Sequence, residues 1–147
     1  MQQPAQIPEK LTDTVEALEM VSDRSERIQW LIDIANRFRD VPAEIAGRPF
    51  PEDHRVPACE SEAYVWGQTR EDGKLDLHFA VENPQGLSAK AMAVILQEGL
   101  KDATPAQVAA VSPEIVYKIF GNELSMGKSM GLMGMVSMVA HYGKNAM

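Results

Sequence analysis

Cysteine occurs once in this chain, at Cys59, within His54-Arg55-Val56-Pro57-Ala58-Cys59-Glu60-Ser61. A lone thiol makes no intramolecular disulfide, so it acts either as a small hydrophobe or as a reactive sulfur. Its setting raises the second reading. It stands in a loop between a helical pattern and a strand pattern, where a rigid scaffold commonly presents reactive groups. A cysteine hydrolase or transferase would need a thiolate prepared by a cation or a base. Arg55 is outnumbered here by Glu52, Asp53 and Glu60, and His54 is the nearby candidate base. A thiol that reacts once a partner completes its site fits this composition better. The chemistry is then attack of a thiolate on bonded sulfur.

Other groups carry less. His54, His78, His141 and Cys59 show no CxxC or HxxxH spacing, so a metal centre would need Asp53, His54 and Cys59 to converge. Gly127-Lys128-Ser129 suggests a phosphate loop, but five residues rather than four separate Gly121 from the Gly-Lys pair. Met126, Met130 and Met133 fall at helical spacing and read as adaptable core filler. Gly127 and Gly131, four apart, read as a close helix contact inside the domain.

Composition narrows the classes further. Of 147 residues, 14 are Lys or Arg and 21 are Asp or Glu, a net charge of −7 that disfavours binding to a phosphate backbone. No apolar run reaches the ~20 residues of a membrane span, and no secretory leader is visible, so a reduced, cytoplasmic setting is expected.

The elements that must position Cys59 are legible in outline. Residues 1–10 read as a tail, with one domain over 11–147. A helix is expected from Leu11 to Val21, with Thr12 or Thr14 as its cap. A second follows, with Asp23 and Glu26 as a capping box and a core stripe of Ile28, Leu31, Ile32, Ala35 and Phe38 widened by Trp30 and Ile34. From Val41 to Glu60 five prolines and glycines break every period, which marks a functional or disordered loop. Ser61 to Trp66 reads as a strand, Glu71-Asp72-Gly73 as a turn, and Leu75 to Glu82 as a strand alternating strictly in and out. Helices then run over Ser88–Leu100, from Thr104-Pro105 to Val111, from Ser112-Pro113 to Phe120, and from Met126 to Tyr142. The order is that of an α+β domain.

Several separated segments resemble the SufE family of sulfur acceptors. Val56, Cys59, Ser61, Tyr64 and Trp66 match its Val-x-Gly-Cys-x-Ser signature and following strand. Leu124 to Leu132 resembles its Leu-Ser-Pro-Ser-Arg-x-x-Gly-Leu stretch. The likeness spans about Thr12 to Gly143. Three positions depart from the pattern: Ala58 replaces a glycine, Lys128 an arginine, and Glu82-Asn83 an Asp-Ser pair. The resemblance implies an IscU-like fold, a small three-stranded antiparallel sheet with helices packed against it. It implies that Cys59 accepts sulfur as a persulfide from a SufS-like cysteine desulfurase and stimulates that enzyme. Sulfur would pass onward to an iron–sulfur scaffold complex. The chain would be a carrier without turnover of its own, and the pyridoxal phosphate would belong to the desulfurase. His54, Arg55, Glu60, Ser61 and Lys128 would contact the partner, and the carrier would be a monomer or weak dimer. The alternative is a non-catalytic metal or iron–sulfur scaffold of the same fold.

Overall fold

The computed structural model describes residues 6–147. In chain order these form α1 (Glu9–Met20), α2 (Arg24–Ala35), a 3-10 turn (Glu52–His54), β1 (Ala63–Thr69), β2 (Leu75–Val81), α3 (Leu87–Gly99), α4 (Pro105–Ala109), α5 (Ile115–Phe120) and α6 (Met126–Asn145). The expected tail lies outside the described residues up to position 5. Its last two residues, Glu9 and Lys10, already belong to α1, whose N-cap is Pro8 rather than a threonine.

The alternating run forms β2, antiparallel to β1, with Ala63 opposite Val81 and Val65 opposite Phe79. Pleating divides the side chains. Val65, Leu75, Leu77, Phe79 and Val81 enter the main core with residues of α1, α3, α5 and α6. Tyr64, Trp66 and Ala80 face the other way, into a second cluster with Val41 and Phe50. The proline-rich segment is therefore ordered. It covers the outer sheet face, with the Phe50 ring 5.1 Å from Tyr64 and 5.2 Å from Trp66.

Among the described residues the sheet has two strands, not the three expected. Each edge carries only a fragment of a further strand. Arg55 makes an isolated bridge to Tyr64, and the Val56 N–H donates to Ala63 O at 2.8 Å. On the other edge the Val41 N–H donates to Phe79 O at 2.8 Å. Pro57 and Pro42 come next, and neither has an N–H with which to extend a ladder.

Local signals mostly act as read. Thr104 and Gln107 form a reciprocal capping box with Pro105 at the first helical position. Asp23 caps α2 through the Ser25 N–H, without the return bond from Glu26. Burial on α2 rests on Leu31, Ile34 and Ala35, whereas Ile28 and Trp30 are 40% and 42% exposed. On α6 Met135 is fully buried, but Met126 and Met130 project outward.

Arg37, just past α2, ties that helix to α3 through paired bonds to Glu98 at 3.0 and 2.9 Å. The hydrogen bond from Arg37 holds the Glu98 carboxyl below its ordinary value of 4.5. A carboxylate depressed in the folded state adds stability above its unfolded pKa and loses it as pH falls through the folded one. Melting temperature should therefore fall as pH drops below about 4.5. Glu98→Gln should flatten that fall by an amount of order a few tenths of a kcal/mol, because the pair is exposed. An unchanged profile in the variant would deny the pair this part.

Candidate functional site

Cys59 reaches its position through a loop fixed at both ends. Val56, fully buried, is held by Ala63 O. The chain then reverses over Pro57 and Ala58, and a second turn is closed by the Glu62 N–H on Cys59 O at 3.1 Å. Antiparallel register does the rest. Because Ala63 faces Val81, residues just before β1 must lie beside those just after β2. The Asn83 N–H accordingly donates to Ser61 O at 3.1 Å, which brings the start of α3 against the cysteine loop.

Ala58 has φ +59° and Glu62 φ +51°. Left-handed backbone costs a residue with a Cβ roughly 1–2 kcal/mol. Glycine would escape that cost at position 58 but would add freedom to the unfolded chain worth roughly 0.4–1 kcal/mol. The balance predicts that Ala58→Gly stabilises the domain by about 0.5–1 kcal/mol in denaturant unfolding. No change, or a loss, would show that the turn is not strained.

The thiol residue is 7% exposed. It lines a cavity of about 30 Å³ with Glu60, Ser61, Gln85 and Leu87 on one side and Lys128 and Gly131 of α6 on the other. That volume admits one water-sized group. Lys128 sits on the first turn of α6, whose N-cap Ser125 accepts from its N–H at 3.3 Å. Thus Cys59, Glu60, Ser61 and Lys128 converge. Arg55 borders an open groove on the far side of the same loop with Cys59 and Glu60, 3.7 Å from Glu52.

His54 is not part of this group. Its ring lines a different hollow with Trp66 and Pro49 and stacks on Trp66 at 5.2 Å. Its Nδ1 lies 2.9 Å from Val65 O and 2.8 Å from the Tyr142 hydroxyl. Tyr142 also donates to Val65 O at 3.1 Å, and burial pushes its phenol pKa up. His54 ties the 3-10 turn to β1 and α6. A Cys59–His54 catalytic pair is not what this arrangement builds. Among the described residues, no three His, Cys, Asp or Glu side chains gather to hold a metal ion, so the Asp53, His54 and Cys59 convergence does not form.

The glycines of α6 pack differently from the expected helix contact. A Cβ on Gly131 would lie 3.1 Å from Cys59 Cα, and one on Gly134 would lie 3.2 Å from Val56 Cγ1. Their neighbour is the cysteine loop. Gln85 and Leu87 escaped the sequence reading, although continuing the hairpin register past Ser61 and Asn83 points to Gln85 beside Cys59.

No helix among the described residues is long and apolar enough to cross a membrane. The fold is similar to a solved solution structure titled as a hypothetical protein from Thermus thermophilus. Their TM-score is 0.74 at 24% identity, covering 96% of this chain and 98% of the other. No curated protein matches the chain. The family model described as SufE, an Fe-S metabolism associated domain, matches residues 12–142. With nearly the whole sequence accounted for, the chain belongs to the SufE family.

Proposed function

We propose that this protein is a sulfur acceptor for a cysteine desulfurase of the SufS-like kind and a donor to iron–sulfur cluster assembly. The observation that carries the reading is the lone thiol of Cys59, held at a loop tip beside a cavity with room for one further atom. The Cys59 thiolate attacks the outer sulfur of the donor persulfide. A new S–S bond forms on Cys59, the donor's own S–S bond breaks, and the donor leaves as a thiolate. No oxidant is consumed, because the oxidised sulfur atom moves intact. Lys128 supplies a cation at the rim, and Glu60 and Ser61 present polar groups to the partner. Arg55 meets the partner from the outer side of the loop, while His54 holds the 3-10 turn before the loop against β1 and α6.

The surroundings suit a docking event. Leu87 is 41% exposed, Met130 58% and Met126 79%. Leu87 also borders an apolar hollow of about 200 Å³ shared with Ile28, Leu31 and Phe120. Such surface near a buried thiol suits a partner that covers it while the sulfur moves. The carrier needs no cofactor of its own, since the pyridoxal phosphate chemistry precedes the transfer and belongs to the desulfurase. A reducing, cytoplasmic setting fits a chain with one thiol.

The test is alanine release by a cysteine desulfurase titrated with this protein. Saturable stimulation is the expected result. A desulfurase rate independent of its concentration, across several desulfurases, would overturn the activator reading.

A further inference from the structure

The methionines at the start of α6 are not the core filler that their spacing suggests. Met126 is 79% exposed and Met130 58%, and Met133 is half-buried at the edge of the main core. Positions 126, 130 and 133 are spaced by four and then three residues, so they share one face over the first two turns of the helix. The other side of α6 carries Leu132, Met135, Val136 and Val139 into the core. Leaving a large apolar side chain in water forgoes roughly 1.5–3 kcal/mol of burial, so packing alone gives no reason for methionine at 126 and 130.

What these three side chains share is a thioether sulfur. A thioether is a soft, neutral donor that suits Cu(I), whereas Mg, Ca and Mn prefer carboxylate, carbonyl and water oxygens. Cβ atoms three or four residues apart on a helix stand about 5–6 Å from one another. The methionine side chain is unbranched with three rotatable bonds, so the sulfurs of Met126 and Met133 can swing to meet that of Met130 between them. Gly127, Gly134 and the exposed Ser137 leave the flanks of this face without bulk. Lys128 points elsewhere, into the Cys59 cavity with Leu132. Glu60 brings a carboxylate to the same end of the helix, 3.5 Å from where a Cβ on Gly127 would stand. Its charge offsets the positive end of the helix dipole, which costs a cation about 0.3–1 kcal/mol there.

We propose that Met126, Met130 and Met133 form a binding site for a soft monovalent cation, Cu(I), held by three thioether sulfurs on the outer face of α6. Coordination changes no oxidation state and breaks no bond in the chain. Each sulfur offers a lone pair, and the site opens and closes by rotation of side chains already in solvent. Thioethers carry no proton to lose, so binding releases none. A site built of thiolate or imidazole weakens as pH falls, because its ligands must first be deprotonated; this one does not. The site is distinct from the Cys59 thiol and does not rest on the sulfur-acceptor reading.

The experiment is a titration of the full chain carrying Cys59→Ser, which removes the competing thiol, followed by the methyl resonances of its nine methionines. The probes are Ag(I) in chloride-free buffer and Cu(I) under anaerobic, reducing conditions. Each should bind once per chain and shift the methyls of Met126, Met130 and Met133, leaving those of the buried Met92 and Met135 in place. Met130→Leu should weaken binding of both ions by at least about tenfold, and Met126→Leu by a comparable factor. Leucine is as apolar and as helix-favouring as methionine, so α6 is retained. Met20→Leu, at an equally exposed methionine outside the site, should leave affinity within about twofold of the parent. Affinity should be the same at about pH 7 and about pH 5, and Zn(II) should shift none of the three. Parent-like affinity in Met130→Leu would overturn the site. So would shifts shared equally with Met20 and Met147, or binding of Ag(I) without Cu(I). Sulfur uptake is not read in any of these titrations, so failure of the acceptor reading is seen separately.

Discussion

Cys59→Ser is expected to abolish desulfurase stimulation and sulfur uptake, a loss of at least about a hundredfold, while the domain stays folded. The reason is chemical. A serine hydroxyl is not ionised near neutral pH and forms no stable bond to sulfane sulfur, so the transfer has no acceptor atom. The folding effect is far smaller. Cys59 is buried, but its cavity is edged by Glu60, Ser61 and Lys128, and a hydroxyl placed there costs about 1 kcal/mol. For a domain of this size that lowers Tm by about 3–5 °C. Desulfurase assays paired with thermal melts check both halves. Stimulation that survives in the variant would move the function away from the thiol, toward docking alone.

Gly143→Ala is expected to be the most damaging small substitution for stability. An added Cβ would collide with Ala109 N and lie 2.8 Å from Pro105 O and 3.0 Å from Ala109 Cα. All three are backbone atoms of α4, which cannot rotate out of the way as a side chain can. The helices must separate, and overpacking of this kind costs about 2–4 kcal/mol. Gly67 is a useful contrast. There the obstruction is the Tyr142 ring at 2.6 Å, a side chain that also holds His54. Denaturant unfolding should show a large fall in midpoint for Gly143→Ala with little change in slope. A midpoint equal to the parent's would mean that α4 and α6 are not held in this contact. The same contact bears on function, because α6 carries the glycines on which the cysteine loop lies.

Legibility in the sequence followed physical locality. β2 could be read because large apolar residues on its core face alternate with Asp76 and His78 on the other, and α4 because a Thr-Pro-x-Gln start satisfies its own N–H groups. The thiol could be singled out because it is unique. Residues 41–54 could not be placed by any period. Their burial comes from Val41 and Phe50 filling one sheet face, an arrangement set by tertiary contact. Ile28 and Trp30 share the helical spacing of Leu31 and Ile34, yet α2 buries a narrower face than the stripe suggests. His54 is near Cys59 in sequence but faces Trp66 and Tyr142, since the reversal at Pro57-Ala58 separates the two. Gly131 signalled a close approach, but spacing alone could not say that the partner was a loop. Lys128 is singled out by family resemblance rather than by any local rule, and its side chain lines the Cys59 cavity.

The most direct test of the sulfur-acceptor account is the intact mass of this protein after incubation with a cysteine desulfurase, pyridoxal phosphate and free cysteine, without reductant. The account predicts a gain of one sulfur atom that reductant removes and that Cys59→Ser never shows. An unchanged mass with several active desulfurases, or a gain that persists in Cys59→Ser, would contradict it.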